Sequence, residues 1–340
     1  MALGKASPRK ATMLDVAGAA GISRGTVSRY VRGRGYVSPD SRRRIDRAIA
    51  QVGYVPNAAA QMLAGAPASN VALIVHEEAA LFAADPNLTG MMVGANRALT
   101  ARGLQLVVLI AGEGDDLGRL GQTIRGGLLD AAMLASTRIG DPIIELVRQA
   151  GLPAAVVGRH PDLPEIPAVD VDNRAGAAEI VGRMLERGQR QVGMVAGPSR
   201  RQSALDRLDG FRLAAGPAFD AALVVEAADW SYEAGLAAGA ELLRRAGAVE
   251  AVFGANDALA AAFVDLATAA GRSVPGDVAV VGFDDSDWAR RCQPQLCTVA
   301  QPAEALGAKM AEFAIRQIEG EDLSGTLALE PTRLVWRDSA

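Results

Sequence analysis

Hydrophobic and polar positions change period along this chain, and the change divides it. In TMLDVAGAA, residues 12–20, Met13, Val16, Ala17 and Ala20 recur at i, i+3, i+4 and i+7, which places them on one helical face. Thr12 and Asp15 stand three apart, the spacing of a capping box. Gly21 allows a tight turn, Ser23 suits the N-cap of a second helix, and Val27 and Val31 supply its inward face. A third helix is predicted from Ser38 as N-cap and Pro39 at N1 through Ile45, Ala48, Ile49 and Val52, with Gly53 ending it. Three short amphipathic helices can close one small core. From residue 70 the period shortens: VALIV, LQLVVLI, AAMLA and AAVVG, then QVGMVAG, ALVVEA, AVFGA and VAVVGFDD, alternate with helical stretches. Such βα alternation predicts parallel sheets covered by helices. Two sets of runs, separated by PAVDVDNRAGA, predict two similar subdomains with a cleft between them, although the order of runs does not reveal where the chain crosses. Ligands of such sheets bind beyond the carboxyl ends of the strands.

Charge follows the same division. The 340 residues carry a net charge of −4, yet residues 1–65 hold 11 basic and 3 acidic side chains, leaving 24 against 36 for the remainder. A basic end on an acidic body implies a polyanionic partner for that end alone. With 50% hydrophobic residues the chain can bury a large core. The start lacks the apolar run of a secretory signal and no stretch has membrane-span length, so a cytoplasmic protein with no membrane partner is expected. Cys292 and Cys297 read as ordinary thiols, and His76 and His160 lie too far apart in sequence to suggest a metal site or a catalytic triad. No cofactor and no metal are expected.

On the second predicted helix, Arg24, Gly25, Ser28, Arg29 and Arg32 fall opposite Val27 and Val31. A helix presenting such a stripe after a glycine turn suits the major groove, where arginine pairs with guanine and hydroxyls such as those of Thr26 and Ser28 hold phosphates or base edges. The competing reading is a solvated face of a small bundle. DVAGAAGISRGTVSRYVRG followed by VSPDSRRRIDRAIAQVGYVPN resembles the DNA-binding headpiece of the lactose-repressor (LacI/GalR) family. The resemblance implies that Arg24 and Gly25 sit where bases are read, that Arg29 contacts a base, and that Thr12, Ser23, Thr26, Ser28 and Arg32 belong to the DNA-binding surface. Gly25 departs from the bulkier residues common there and makes no side-chain contact.

PNAAAQMLAG, residues 56–65, has Asn57 as a candidate cap and Ala60, Leu63 and Ala64 at helical spacing. It is shorter than the roughly 12–15 residues of a marginally stable isolated helix, so it folds only with support. The run resembles the family's hinge helix, two copies of which pack in the minor groove of a dimer's site, and this implies that Leu63 wedges into the central base step. The domain organisation expected is therefore a helix-turn-helix headpiece at 1–55, a hinge and linker at 56–69, and an effector-binding and dimerisation domain at 70–340.

In that last region Trp230 follows an apolar run and offers either a platform for a pyranose face or a core ring. Arg207, Asn256, Asp257, Asp284 and Asp285 lie near strand ends and supply donors and acceptors for a polyhydroxylated ligand. The paired aspartates also suit helix caps, which favours Asp284 over Asp285 and Asn256 over Asp257. VDVDNRAGAAEIVGRMLERGQRQVGMVAG, SALDRLDGFRLA, VFGANDALA, VPGDVAVVGFDDS, PQLCTVAQP and LVWRDS resemble the family's periplasmic-binding-protein-like effector domain. That resemblance implies crossings near Asp172, near Gln301 and before the tail, hence an N-subdomain of about 70–170 and 302–330 and a C-subdomain of about 171–301 and 331–340. It also implies that Arg207, Trp230, Asn256, Asp284 and Gln301 contact sugar hydroxyls, with Glu78, Phe82, Asp85, Arg159 and Asp172 as further candidates. The glycines of LVVLIAGEGDDLG miss the dinucleotide spacing, and Glu113, Asp115 and Asp116 put negative charge where pyrophosphate must sit, which argues against an enzyme of that kind. An exported solute-binding protein would lack the headpiece. The expected function is a repressor that binds operator DNA as a homodimer, the tail after Leu334 being too short for a long zipper, and that responds to a small carbohydrate, with a nucleobase or nucleoside as the second reading.

Overall fold

The computed structural model describes residues 11–31, 35–54, 69–112, 117–161, 163–246 and 248–340. Two compact units divide the chain, Met1–Ala68 and Ser69–Ala340. In the first, helices α1 (Met13–Ala20), α2 (Arg24–Val31) and α3 (Pro39–Val52) enclose a core of Val16, Ala20, Val27, Val37, Ile45, Ala48 and Tyr54. The capping box forms, with the Thr12 backbone N–H donating to Asp15 at 2.7 Å. Gly21 and Gly53 end α1 and α3 in the left-handed region, at φ 60° and 63°, where a side chain would be strained. Arg32 and the hinge candidates Asn57, Ala60, Leu63 and Ala64 lie outside the described residues.

The second unit begins with β1 (Asn70–His76), α4 (Ala79–Ala84), α5 (Pro86–Thr100), β2 (Gln105–Ala111), α6 (Leu117–Arg125), β3 (Ala131–Ala135), α7 (Pro142–Ala150), β4 (Ala154–Val157) and β5 (Ala168–Val171). It continues through α8 (Asn173–Glu186), β6 (Val192–Ala196), α9 (Gln202–Ala215), β7 (Val224–Glu226), α10 (Tyr232–Arg245), β8 (Ala251–Gly254), α11 (Asp257–Ala269), β9 (Ala279–Val281), α12 (Asp287–Arg291) and β10 (Thr298–Ala300). The chain then returns through α13 (Ala303–Ile318) and β11 (Leu327–Glu330), and β12 (Arg333–Val335) closes against β10. One six-stranded parallel sheet has the order β11-β5-β4-β3-β1-β2, and a four-stranded parallel sheet has the order β7-β6-β8-β9. Parallel pairing leaves both faces to helices, so the strands are nearly continuous apolar runs; β3 and β6 are buried throughout.

The segment read as a separator contains a strand. In β5 the buried Asp170 interrupts the apolar run, so AVDV lacks the continuous hydrophobicity that marks its neighbours. β11 likewise lacks a buried apolar run, because its leucines are an edge strand's outward residues, with Leu327 and Leu329 about half exposed. Cys292 and Cys297 are both free thiols, and among the described residues no helix is long and apolar enough to cross a membrane.

Helices α5 and α13 approach backbone to backbone at two glycines. A Cβ on Gly94 would lie 1.9 Å from the Glu304 carbonyl oxygen, and one on Gly307 1.9 Å from that of Met91. Gly307→Ala should therefore lower the stability of this unit by about 1–3 kcal/mol through overpacking, read as an earlier urea midpoint. Gly182→Ala, where an added methyl meets open space in α8, should be neutral or stabilise by up to about 1 kcal/mol. Equal midpoints for the two variants would contradict this account of the helix pair.

Candidate functional site

In the headpiece, Ser23 starts α2 by accepting a hydrogen bond from the Thr26 backbone N–H at 3.2 Å. Its hydroxyl also meets that of Thr26 at 3.0 Å, and Arg29 donates to the same Thr26 oxygen at 3.2 Å. Val27 is fully buried beneath them. Arg24, Gly25 and Arg29 are exposed, while Thr26 and Ser28 are half-buried. Tyr30 donates to Asp46, and Arg44 donates to the Gly21 carbonyl at 3.2 Å, so α3 holds both the turn and the helix after it. A side chain at Gly25 would meet open space, the nearest atom being the Ser23 hydroxyl at 3.9 Å. Its lack of a side chain is therefore a matter of what α2 offers outward, not of packing. Thr12 remains a capping residue, with its hydroxyl 2.7 Å from Asp15.

In the larger unit, segments just beyond the carboxyl ends of several strands converge on a cleft. Arg207, on α9, is buried with its guanidinium stacked 3.8 Å over the Phe283 ring and 5.5 Å from that of Trp230. Its Nε donates to Asn173 at 2.9 Å, one terminal nitrogen to the Ala255 carbonyl at 2.6 Å, and the other lies 3.5 Å from Asp284. Gln301 donates to the same Asp284 oxygen at 2.6 Å. Asn173 in turn donates to Asp170, which accepts from the Arg159 backbone, and the Arg159 side chain reaches Asp206 at 2.8 Å. The result is one polar chain running through the cleft.

Burial disfavours the charged form of several groups at the cleft. It pulls Arg207 below the ordinary arginine value and pushes Asp85, Asp170, Asp257 and Asp284 above the usual carboxylate range; Arg207 partly offsets the shift at Asp284. Asp284 and Asp285 both lie at positive φ, 118° and 55°, a strain that persists where surrounding contacts enforce it. Here the enforcing contacts are Arg207 and Gln301 on Asp284, and Arg337 and Arg290 on Asp285.

Two cavities share Asp85, Trp230, Asn256 and Asp284. One, of about 140 Å³, adds polar groups including Asn173, Arg159, Arg207 and Gln301. The other, of about 310 Å³, is walled by Leu81, Pro86, Tyr232 and Trp288. The Trp230 ring lies over Gly197, where a Cβ would come within 2.3 Å of it. Asn256 caps α11 by accepting from Leu259 at 2.8 Å and donates to the Trp230 carbonyl at 3.0 Å, tying that loop in place. Asp85 likewise caps α5 through the Asn87 backbone N–H at 2.8 Å while lining both cavities.

Three of the expected residues stand away from these two cavities. Phe82 is packed in the hydrophobic core and lines neither cavity, because the short α4 turns it inward. Asp172 is exposed and caps α8 through Ala175 at 2.8 Å; its neighbours Asp170 and Asn173 face the cleft instead. Glu78 is exposed on a separate cavity with Arg138 and Arg200, and the buried carboxylate of that loop is Glu77, paired with Arg201. Arg201 itself carried no signal in the sequence, since an arginine before a helix ordinarily reads as a surface residue.

The helical unit and the cleft have counterparts in known proteins. Residues 12–57 match the model described as bacterial regulatory proteins, lacI family, and residues 181–340 match that of a periplasmic binding protein-like domain. The chain is similar to the HTH-type transcriptional regulator CelR of Thermobifida fusca, with 39% identity over 97% of this chain and 98% of that one. A solved structure of a transcriptional regulator CelR-cellobiose complex is 36% identical, with a TM-score of 0.78 over 97% of this chain and 100% of the other. The lac repressor dimer bound to operator and the anti-inducer ONPF shares the fold at a TM-score of 0.85 and 23% identity, over 97% and 99% of the two chains. Likeness of this extent, across both the reading helices and the cleft, shows that the chain belongs to the lacI family of bacterial regulatory proteins.

Proposed function

We propose that this regulator is a repressor that binds a near-palindromic operator as a cytoplasmic homodimer and that a neutral carbohydrate in its cleft sets its affinity for DNA. The observation that carries the effector reading is the buried Arg207 network. Asp85, Asp170 and Asp284 line the polar cavity beside the buried Arg207, so the site offers paired donors and acceptors that suit sugar hydroxyls. Trp230 beside them offers a flat apolar face to a pyranose. Similarity to CelR, solved with cellobiose, supports the same ligand class.

On the DNA side, Arg24 and Arg29 stand exposed at the beginning and middle of α2, and each can pair with a guanine. Thr26 and Ser28 steady the phosphate backbone, with Ser23 and Thr12 fixing the helix starts. A ligand that binds one arrangement of the cleft better than another shifts the chain between forms of different operator affinity. The hinge residues Asn57, Ala60, Leu63 and Ala64, with Leu63 as the wedge, connect the two units in this reading.

The test is operator binding by fluorescence anisotropy with and without a panel of neutral saccharides, sugar phosphates and nucleosides. A change caused by a neutral saccharide is expected; a response to nucleosides alone would replace the carbohydrate reading. Arg29→Ala should reduce preference for operator over scrambled duplex by about tenfold or more, as loss of a bidentate base contact does, and unchanged preference would remove its assigned role. Arg207→Lys keeps the charge and loses the fork, so it should weaken saccharide binding by about 10–100-fold while operator affinity without ligand stays the same. Wild-type saccharide affinity in that variant would refute the network's role.

A further inference from the structure

The polar cavity is walled from both sheets. Asp85, Ser136 and Arg159 follow strands of the six-stranded sheet, while Arg207, Trp230 and Asn256 follow strands of the four-stranded one. Whatever ties the two halves together therefore decides whether the walls face each other at a ligand's spacing. One tie lies apart from the Arg207 network. It joins Arg201, the N-cap of α9 beyond β6, to Glu77 and Ser136, just beyond β1 and β3. One terminal nitrogen of Arg201 donates to the Ser136 carbonyl and the other to Glu77 Oε2. Glu77 is anchored to its own half, since Oε2 also accepts from the Ser136 hydroxyl at 3.3 Å and Oε1 lies 3.7 Å from Arg138. Arg201 and Glu77 are only 7% and 8% exposed. Burial pulls Arg201 below the ordinary arginine value, an effect that Glu77 opposes.

Backbone geometry beside the pair is a second, independent observation. Ser136 lies at φ 55°, in the left-handed region, a strain that persists where surrounding contacts enforce it, and its carbonyl is the one that Arg201 takes. Three residues on, the Ile139 backbone N–H donates to the Arg200 carbonyl at 2.9 Å, a main-chain bond between the halves. The loop that carries both groups is tied within its own half, because the Arg138 backbone N–H donates to Asp141 at 3.1 Å and Asp141 meets His76 at 2.8 Å. A fixed socket on one half thus receives an arginine from the other. Arg159 and Asp206 also join the halves, but that arginine side chain is 44% exposed, and pairs open to water add little.

We infer that the Glu77–Arg201 pair is a latch between the two halves, which positions the cleft walls for the effector from outside the Arg207 network. A buried ion pair returns in attraction about what it loses in hydration, so the latch adds little net stability and lets the halves part into water. With one partner removed, the closed arrangement buries the other's charge unmatched, and closure is penalised. Such a balance suits a cleft that must both hold and release its ligand. The latch does not depend on the carbohydrate reading, and the two are tested by different measurements.

Amide hydrogen exchange, read by mass spectrometry on the peptide spanning residues 137–141 of the full chain without ligand, compares wild type, Glu77→Gln, Arg201→Gln and the double variant. Parting of the halves breaks the Ile139 bond to Arg200, so this amide should exchange at least about tenfold faster in each single variant, while amides within β3 and α9 keep their rates. The double variant buries no unmatched charge and should fall short of the product of the single effects by at least about tenfold. Arg201→Lys, which keeps the charge and loses one of two bonds, should lie between wild type and Arg201→Gln. Calorimetry with cellobiose as the probe should show affinity falling by about tenfold in each single variant, in the same order. Circular dichroism melts identify any variant that is not folded, and Glu77→Gln with Arg201→Lys provides the reading if Arg201→Gln fails. Unchanged Ile139 exchange, or multiplicative effects in the double variant, would overturn the latch. Weaker cellobiose binding without faster exchange would overturn it as well, and would make the pair a direct ligand contact. The expected exchange pattern, in a chain whose wild type binds no saccharide of the panel, would support the latch and overturn the carbohydrate reading alone.

Discussion

The cleft depends on one buried guanidinium. A cation out of water persists only when its donors and its charge are met, and a partner removed from such a pair leaves a charge that the interior cannot solvate. Arg207 meets this demand by drawing on Asn173 at the start of α8, Ala255 beyond β8 and Asp284 beyond β9, segments distant in sequence. Phe283 forms the floor beneath it, and Gln301 fixes the far side of Asp284. Once those partners are in place, the carboxyl ends of the strands are held at the spacing that makes a cavity. The same arrangement explains why Asp284 tolerates a backbone conformation that its own side chain disfavours.

The two units meet opposite electrostatic requirements. A small helical unit can expose arginines because Val27 and its neighbours close a core beneath them, and Tyr30 and Asp46 join α2 to α3. The cleft instead holds charged groups out of water, and burial disfavours the ionised forms of Arg207, Asp170 and Asp284. The basic end therefore answers to the phosphates of duplex DNA, a partner that the acidic body does not share. The average charge of the chain describes neither.

Cleft chemistry also shows how a flat surface acquires a direction. Trp230 lies over Gly197, and Asn256 ties its backbone to the start of α11. The residue thus lines both the cavity that offers hydrogen bonds and the one that offers stacked faces.

The helical unit was legible almost residue by residue, because capping boxes, glycine C-caps and a 3.6 period are local and survive without knowledge of the rest. The class of the larger unit was legible too, since buried parallel strands must be apolar runs. Within the cleft, Arg207, Trp230, Asn256, Asp284 and Gln301, which the family resemblance pointed to, all line the polar cavity. Elsewhere the buried polar residue is a neighbour of the one singled out, Glu77 beside Glu78, and Asp170 and Asn173 beside Asp172, because the packing of the loop after β1 and of the end of β5 decides which side chain turns inward. Arg201 and the Tyr232–Trp288 pair could not be read at all, because their neighbours come from distant segments. Sequence alone determined the local elements and the separation of charge, both of which are written in short-range spacing. Tertiary structure decided which polar groups are buried together, because desolvation and pairing arise only when remote segments close around the same space.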